Sequence, residues 1–177
     1  MKTTSILIAG FGGQGSLFAG KVLAIASLNK GLEVSWLPSY GPEMRGGTAN
    51  CSVIISDAPI GSPIVNKPEV LIALNKPSFE KYEKVTMPGG VIFVDSNLVD
   101  VKSLREDITV HYIPATDIAR ECGNQAQPNI ILMAKACKAT GLFTEEDLVE
   151  AIMTMLPASK ESARQKNIKA IQAGMAD

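Results

Sequence analysis

The residues best placed to do chemistry lie in a short glycine-rich segment near the start of the chain, GFGGQG at residues 10–15. The segment satisfies the pattern G-x-G-x-x-G, follows an apolar run and precedes a stretch with helical periodicity. Glycines permit positive φ and close backbone approach, and free N–H groups at the start of a helix attract phosphate. The side-chain amide of Gln14 is placed both to cap such a helix and to contact a ligand.

Three interpretations of this segment stay open. A dinucleotide-binding fingerprint would also place an acid at the end of the second strand, where it holds the ribose. Leu37, Pro38 and Ser39 stand there instead, and Glu33 comes too early in the strand. A second interpretation is a tight, closely packed turn between a strand and a helix. The third is a loop that faces another ligand or a partner subunit.

A second segment with chemical potential runs from residue 38 to residue 50 and reads PSYGPEMRGGTAN. Arg45 is followed by two glycines, which leave its guanidinium free to clamp a carboxylate or a phosphate. Glu43 comes two residues earlier and can pair with Arg45, in which case the loop is a solvated ion pair that adds little stability. The combination of Tyr40, Met44 and Arg45 is instead typical of an interface.

The chain is poorly supplied with other catalytic residues. His111 is the single histidine, and the apolar stretch around it predicts a strand position without a catalytic role. Cys51, Cys122 and Cys137 are the three cysteines, and no C-x-x-C spacing suggests a zinc or iron–sulfur site. An odd number of cysteines without an export signal predicts reduced thiols in a cytoplasmic protein. We therefore expect no metal site, no redox centre and no proton-transfer residue.

Composition narrows the class of protein further. The chain has 177 residues, of which 46% are hydrophobic and 20% charged, with 17 Lys+Arg against 18 Asp+Glu. This length predicts a single domain over residues 1–177. The balanced charge argues against a nucleic-acid partner or a polybasic membrane patch, and no apolar run approaches the ~18 residues of a membrane span. We expect a globular domain that binds neither nucleic acid nor membrane.

The elements that must position the two segments alternate between strands and helices. Apolar runs bounded by Gly, Pro or Asp predict strands at 5–9, 33–37, 51–56, 70–74, 91–95 and 110–113, and a helix at 17–28. Four further helices are predicted at 116–121, 129–140, 145–156 and 159–173. We expect Pro38 to end the second strand and Thr144 to cap the third of these last helices.

This order of elements predicts an α/β fold of three layers, α/β/α, with a mostly parallel, Rossmann-like central sheet and a helical C-terminal third. Ligands of open α/β sheets bind beyond the carboxyl ends of the strands. Both glycine-bearing segments follow strands, so we expect the functional site at that edge of the sheet.

Taken together, the two segments resemble those of the γ subunit of 2-oxoacid:ferredoxin oxidoreductases. The resemblance rests on GFGGQG after the first strand and on PSYGPEMRGGTANCSVIIS after the second. It continues through IGSPIV, VLIALN, PGGVIFVDSNL and ARECGNQAQPNIILMAKACKATGLF, and so covers nearly the whole chain. The form SYGPEMRGG with TANCSV is most similar to the 2-oxoglutarate and branched-chain 2-oxoacid types, with 2-oxoglutarate ranked first.

The resemblance implies a subunit of an oxidoreductase that acts on an oxo group with an iron–sulfur protein as acceptor. Such complexes decarboxylate a 2-oxoacid on thiamine diphosphate with Mg²⁺, pass electrons through iron–sulfur clusters to ferredoxin, and release an acyl-CoA. The chain carries neither a thiamine-diphosphate motif nor a cysteine cluster, so the resemblance places these groups in sibling subunits of the α, β and δ types. We expect the isolated chain to be inactive.

The same resemblance places both segments against the catalytic subunit, near the point where coenzyme A enters. The residues expected to contact the coenzyme are Gly12, Gly13, Gln14, Gly15 and Arg45. The residues expected to contact the sibling subunit are Tyr40, Gly41, Glu43, Arg45, Gly46 and Gly47. Because a face meant for a partner is uncovered in the isolated chain, we expect a homodimer through the region of residues 38–50.

A second hypothesis is a stand-alone nucleotide-binding module of Rossmann-like fold, with a regulatory or dehydrogenase role. The absence of an acid at the end of the second strand and the single histidine favour the subunit hypothesis over this one. Heats of binding for NAD(H) and for coenzyme A would separate the two.

Overall fold

The computed structural model describes residues 2–41, 47–123 and 127–177. Its six strands are β1 (Thr3–Phe11), β2 (Glu33–Tyr40), β3 (Thr48–Ser56), β4 (Val70–Ala73), β5 (Val91–Asp95) and β6 (Thr109–Ile113). Its α-helices are α1 (Ser16–Asn29), α2 (Lys76–Tyr82), α3 (Ala115–Glu121), α4 (Pro128–Thr140), α5 (Glu145–Met155) and α6 (Glu161–Met175). Single 3₁₀ turns follow α2 at Glu83–Val85 and precede α6 at Ala158–Lys160.

The strands form one sheet in the order β2-β3-β1-β4-β5-β6. Strands β1, β4, β5 and β6 pair in parallel, whereas β3 is antiparallel to both of its neighbours, β1 and β2. Of the six described strands, five therefore point the same way and β3 is reversed. The predicted α/β fold with a mostly parallel sheet is confirmed, and the reversal of β3 makes the sheet mixed. A direct connection between two adjacent strands forces them to be antiparallel, which explains the reversal.

The two faces of the sheet carry cores of unequal size. Helices α1 and α4 pack on one face with α5 and α6 packed against them, and Ile6, Ile72 and Phe93 on that face belong to the larger buried cluster. The other face holds a smaller cluster in which Leu7 and Ile92 pack with Phe79 of α2. Alternation along each strand produces this division, because successive side chains point to opposite faces. The three layers are present, but α2 is the only helix of the described part that covers the second face.

Strand β2 extends beyond the predicted stop at Pro38 and continues to Tyr40. Because β2 is at the edge of the sheet, a residue without an N–H group is tolerated there, and Pro38 lies opposite Cys51 in the ladder. Strand β3 also begins earlier than predicted, at Thr48. Residues 38–40 and 48–50 of the predicted loop are therefore the paired strand ends of a β-hairpin, and residues 42–46 lie outside the described residues.

Helix α2 is the element that the sequence patterns missed. It has seven residues, too few for a clear apolar period, but it carries recognisable start signals. Asn75 caps it by accepting a hydrogen bond from Ser78 N–H at 2.9 Å, and Pro77 lies in its first turn. The predicted cap of α5 is confirmed: Thr144 and Asp147 form a reciprocal capping box.

Candidate functional site

The two glycine-bearing segments meet at one edge of the sheet. Phe11 at the end of β1 lies opposite Thr48, and Tyr40 at the end of β2 lies opposite Ala49. Beyond the ladder, Gly12 N–H donates to the carbonyl oxygen of Gly47 at 2.8 Å. The prediction that both segments gather at the carboxyl ends of the strands is confirmed for the residues that the structure describes. Arg45, Glu43 and Gly46 of the predicted site lie outside them.

The glycines of the first segment meet two different demands. Gly13 and Gly15 have φ angles of 95° and 83°, in the left-handed region that favours glycine. A Cβ built on Gly15 would overlap Nδ2 of Asn129, and one built on Gly10 would come within 2.7 Å of Oε1 of Gln14. A Cβ on Gly13, in contrast, would meet no atom within 4 Å. Gly10 and Gly15 thus permit close packing, whereas the backbone of Gly13 is open to a ligand.

Gln14 fastens the turn to the neighbouring strand. Its Oε1 accepts hydrogen bonds from Phe11 N–H at 2.7 Å and from Nδ2 of Asn75 at 2.8 Å. Its Nε2 donates to the carbonyl oxygen of Leu74 at 3.0 Å. The expectation that this amide caps α1 is wrong, because the capping position is Gly15 and has no side-chain hydrogen bond. The sequence patterns did not reveal that Gln14 joins the ends of β1 and β4.

A polar cavity of about 280 Å³ opens beside this turn, at the carboxyl ends of β1, β4 and β5. Six of its lining residues are Gly13, Gln14, Leu74, Asp95, Thr116 and Asn129. Asp95 is 1% exposed, and its carboxylate accepts hydrogen bonds from the Thr116 hydroxyl and from Asn97 N–H. Asn129, which is 4% exposed, donates from Nδ2 to the carbonyl oxygen of Gly15 at 2.9 Å. Neither residue was singled out from the sequence.

A more apolar cavity of about 420 Å³ lies between the first segment and the hairpin. Its lining includes Gly12, Gly15, Leu17, Phe18 and Tyr40. Tyr40 is 55% exposed beside this cavity. An exposed aromatic side chain next to an apolar cavity is typical of surfaces that meet another molecule.

The histidine and the cysteines lie in ordinary structural surroundings. His111 lies in strand β6, as predicted. It is exposed, and its ring stacks on Phe93 with centroids 4.8 Å apart. Cys51 is fully buried against α1, and burial raises the pKa of its thiol to about 12. Cys137 is buried, Cys122 is half-buried, and all three thiols are free. Within the described ranges, no group of three His, Cys, Asp or Glu side chains is placed to hold a metal ion.

The positive end of α1 is the clearest electrostatic feature of the turn. The helix carries no acidic residue in its first turn, and no side chain caps it, so its terminal N–H groups are available to an anion. Gly12 N–H and Gln14 N–H are already engaged, the first with the carbonyl oxygen of Gly47 and the second with the carbonyl oxygen of Phe11.

No helix in the described part of the chain is both long enough and apolar enough to cross a membrane.

Comparison with known proteins gives long matches. Ketoisovalerate oxidoreductase subunit VorA of Methanothermobacter thermautotrophicus is 40% identical over 171 residues, which cover 96% of this chain but 35% of VorA. The chain thus spans about a third of that relative's length. The 2-oxoglutarate synthase subunit KorC of Methanocaldococcus jannaschii is 37% identical over 172 residues, covering 96% of this chain and 90% of KorC.

A solved structure agrees with these sequence matches. The γ subunit of a keto/oxoacid ferredoxin oxidoreductase from Geobacter sulfurreducens superposes with a TM-score of 0.85 and 29% identity, over 99% of this chain and 95% of that chain. The family model described as pyruvate ferredoxin/flavodoxin oxidoreductase matches residues 5–176. The chain therefore belongs to the pyruvate ferredoxin/flavodoxin oxidoreductase family.

Proposed function

We propose that this chain is a single-domain γ-type subunit of a 2-oxoacid:ferredoxin oxidoreductase. The complex would convert a 2-oxoacid and coenzyme A to an acyl-CoA and CO₂, with reduction of ferredoxin. The observation that carries the proposal is the match to KorC, which runs through 96% of this chain and 90% of the relative. A match that covers nearly the whole of KorC supports the role of a γ-type subunit.

We propose 2-oxoglutarate as the first substrate to test and 2-oxoisovalerate as the second. The relative matched over nearly its whole length is named a 2-oxoglutarate synthase subunit, and the longer relative a ketoisovalerate oxidoreductase subunit. The discriminating contacts to a 2-oxoacid would come from the thiamine-binding subunit. Thiamine diphosphate, Mg²⁺ and the iron–sulfur clusters would likewise be held by siblings of the α, β and δ types.

The turn after β1 fits a role in holding coenzyme A. When bound, the coenzyme supplies the thiol that receives the acyl group. In this chain, the open backbone of Gly13 and the uncompensated positive end of α1 suit its phosphates. Gly12 and Gly15 shape that turn, and Gln14 would act by fixing it, since Oε1 of Gln14 already accepts two hydrogen bonds. Arg45 would add a guanidinium to the same anion.

The hairpin is the surface we assign to the thiamine-binding subunit. Tyr40 lines the apolar cavity, Gly41 N–H donates to the carbonyl oxygen of Thr48, and the carbonyl oxygen of Gly47 accepts from Gly12 N–H. Residues Glu43, Arg45 and Gly46 complete the segment in the sequence. The exposed Tyr40 ring would be covered in the complex, as buried aromatic anchors are at the centres of protein interfaces. The site would bind and orient, and none of its residues would transfer a proton.

The test is purification of the tagged chain from its own cells. We expect proteins that contain thiamine diphosphate, iron and acid-labile sulfide to co-purify with the tagged chain. Tyr40→Ala should reduce the recovered partners, whereas Leu28→Ala, which removes an equally exposed apolar side chain at the far end of α1, should not. Recovery of the chain alone, together with binding of NAD(H) by that chain, would instead establish the stand-alone nucleotide-binding module.

Arg45 can be tested in the same complex. Arg45→Ala should leave the fold intact, since loop residues seldom support a core, and should weaken coenzyme-dependent turnover or assembly by about 1–3 kcal/mol. Lys166→Ala removes one positive charge from the exposed side of α6 and serves as the control. If Arg45→Ala leaves assembly, the rate and the Michaelis constant for coenzyme A unchanged, the result supports the interpretation of Arg45 as part of a solvated ion pair.

A further inference from the structure

We infer that helix α2 fixes the position of the turn at residues 10–15 relative to the hairpin, with Asn75 at its start and Tyr82 at its end as the positioning residues. Each of these side chains is hydrogen-bonded to one of the two segments. A helix held in this way at both ends keeps the segments in one relative position. The inference rests on the proposed function only where it concerns coenzyme A, since the contacts are independent of that function.

The first contact joins the start of α2 to the turn. Asn75 is 4% exposed, and the two atoms of its amide serve different elements. Its Oδ1 accepts a hydrogen bond from Ser78 N–H at 2.9 Å and so caps α2, whereas its Nδ2 donates to Oε1 of Gln14 at 2.8 Å. The same Oε1 accepts from Phe11 N–H at 2.7 Å. Asn75 therefore helps to hold the Gln14 amide in the orientation that fixes the end of β1.

The second contact joins the other end of α2 to β3. Tyr82 is the last residue of the helix, and its hydroxyl oxygen accepts a hydrogen bond from Nδ2 of Asn50 at 3.2 Å. Asn50 lies opposite Ser39 of β2 and Ala9 of β1, so it belongs to the paired part of the hairpin. This contact ties the hairpin to the same helix that holds the turn.

The middle of α2 is fixed in the core between these two contacts. Phe79 is 1% exposed and belongs to the buried cluster that contains Leu7 and Ile92. The seven residues of α2 span only about 10 Å, so the helix is short and stiff. A narrow cavity of about 70 Å³ separates it from the two segments and is lined from both of them, by Phe11 and Thr48 among others. Loss of either terminal contact should therefore let one segment move without the other.

The consequence for the proposed function is that coenzyme binding depends on a contact outside the coenzyme site. The turn and the hairpin are also joined directly, by the hydrogen bond from Gly12 N–H to the carbonyl oxygen of Gly47 at 2.8 Å. If Tyr82 no longer holds the hairpin, this bond should open more often. The neighbouring backbone of Gly13 would then be less well ordered before the phosphates bind, and ordering it on binding costs affinity.

Two variants each remove one of the contacts. Asn75→Asp still accepts from Ser78 N–H and is a good helix cap, but it has no N–H to donate to Gln14. Rotation of the Gln14 amide does not repair this, because its Nε2 would then face Phe11 N–H. Tyr82→Phe keeps the ring and removes only the hydroxyl.

Tyr112→Phe is the matched control. It also removes a phenolic hydroxyl that accepts one hydrogen bond, from Ser103 N–H at 2.8 Å. Tyr112 lies on the same face of the sheet, where its ring contacts Phe79 edge-on. It belongs to β6, three strands away from β1, so its hydroxyl is remote from both segments.

Amide hydrogen exchange in the isolated chain tests the link without coenzyme or sibling subunits. Gly12 N–H should exchange about three- to tenfold faster in Asn75→Asp and in Tyr82→Phe, the change expected for one lost hydrogen bond, and at the parent rate in Tyr112→Phe. An unchanged rate in either of the first two variants would overturn the inference, because the link needs both ends. Exchange that rises equally in all helices and strands would also overturn it, because it would show a general loss of stability.

Kinetics of the purified complex test the consequence for the coenzyme. Asn75→Asp and Tyr82→Phe should raise the Michaelis constant for coenzyme A about three- to tenfold and leave kcat within about twofold, because the link positions the turn and takes no part in the chemistry. Faster exchange at Gly12 in a chain whose complex has no 2-oxoacid turnover would contradict the proposed function alone. An active complex in which both variants keep the parent Michaelis constant would overturn this inference alone.

Discussion

Gly15 is the residue at which backbone and packing demands coincide. Its φ of 83° disfavours any other residue, and a Cβ there would overlap the Asn129 amide. Gly15→Ala should therefore lower the free energy of unfolding by about 2–4 kcal/mol, because strain and displacement of Asn129 add. Gly31 also has a positive φ, 70°, but no atom lies within 4 Å of a Cβ there. Gly31→Ala should cost about 1 kcal/mol. Urea unfolding measures both variants, and equal losses of unfolding free energy for Gly15→Ala and Gly31→Ala would contradict the close approach of Gly15 to Asn129.

Asp147 makes the stability of the fold depend on pH. Burial tends to raise the pKa of its carboxyl, but hydrogen bonds from Thr144 N–H and from the Lys30 ammonium outweigh burial and hold the pKa below its usual value. A lowered carboxyl pKa contributes stability above the unfolded value of about 3.9, and this contribution is lost as the pH falls through the folded value. Asp147→Asn should be less stable than the parent at pH 7.

The difference between the parent and Asp147→Asn should shrink as the pH is lowered below about 4. Glu146→Gln is the control, because it removes the same charge from an exposed neighbour in the same turn of α5. Thermal unfolding followed from pH 7 to pH 3 measures both variants. A difference for Asp147→Asn that stays constant over this range would show that the carboxylate charge does not stabilise the capping box.

At the scale of elements, the packing of α1 on β3 makes glycine more favourable than alanine at one position inside a helix. Replacing a mid-helix glycine with alanine commonly stabilises a helix by about 0.5–1 kcal/mol. In α1, a Cβ on Gly20 would overlap Sγ of Cys51 and come within 3.1 Å of Nε1 of Trp36. Gly20→Ala should therefore destabilise the protein by about 1–3 kcal/mol, and Cys51→Ala should recover most of that loss in the double variant. Denaturant midpoints of the parent, the two single variants and the double variant measure this coupling. If the two single losses of stability simply add in the double variant, the close contact between Gly20 and Cys51 is contradicted.

The sequence patterns located the elements well where the signal was local and failed where it was not. The six strands are recognised from the apolar run that each contains, yet β1, β2 and β3 are predicted too short. Hairpin pairing carries both strands past Pro38 and back to Thr48, and a pairing partner cannot be seen in a single segment. Helix α2 was missed because seven residues do not establish a period.

The same distinction applies to the candidate site. The glycine turn was found from its spacing, and its position after β1 is as predicted. Asn129 was not found, because its contact with Gly15 joins residues 114 positions apart. Asp95 and Thr116 belong to elements that only the sheet order brings beside the turn. Local motifs thus indicated where the site begins, while tertiary pairing supplies its remaining walls.

At the scale of the whole molecule, the uncovered face of the hairpin predicts self-association. Tyr40 at the end of β2 is 55% exposed beside the apolar cavity, and isolated subunits commonly cover such a surface with a second copy of themselves. We expect light scattering to give a homodimer for the isolated chain and a hetero-complex after its siblings are added. Tyr40→Ala should shift the isolated chain toward monomer. A chain that is monomeric at high concentration and ignores its siblings would contradict this prediction.

The measurement that tests the central proposal most directly is reconstitution by omission. The sibling subunits are purified without this chain, and viologen reduction is followed with 2-oxoglutarate or 2-oxoisovalerate plus coenzyme A. We predict no turnover by this chain alone, weak or no coenzyme-dependent turnover by the siblings alone, and full turnover only when the chain is added back in a fixed ratio. Full turnover by the siblings without it, or failure of the chain to join them, would contradict its assignment as a γ-type subunit.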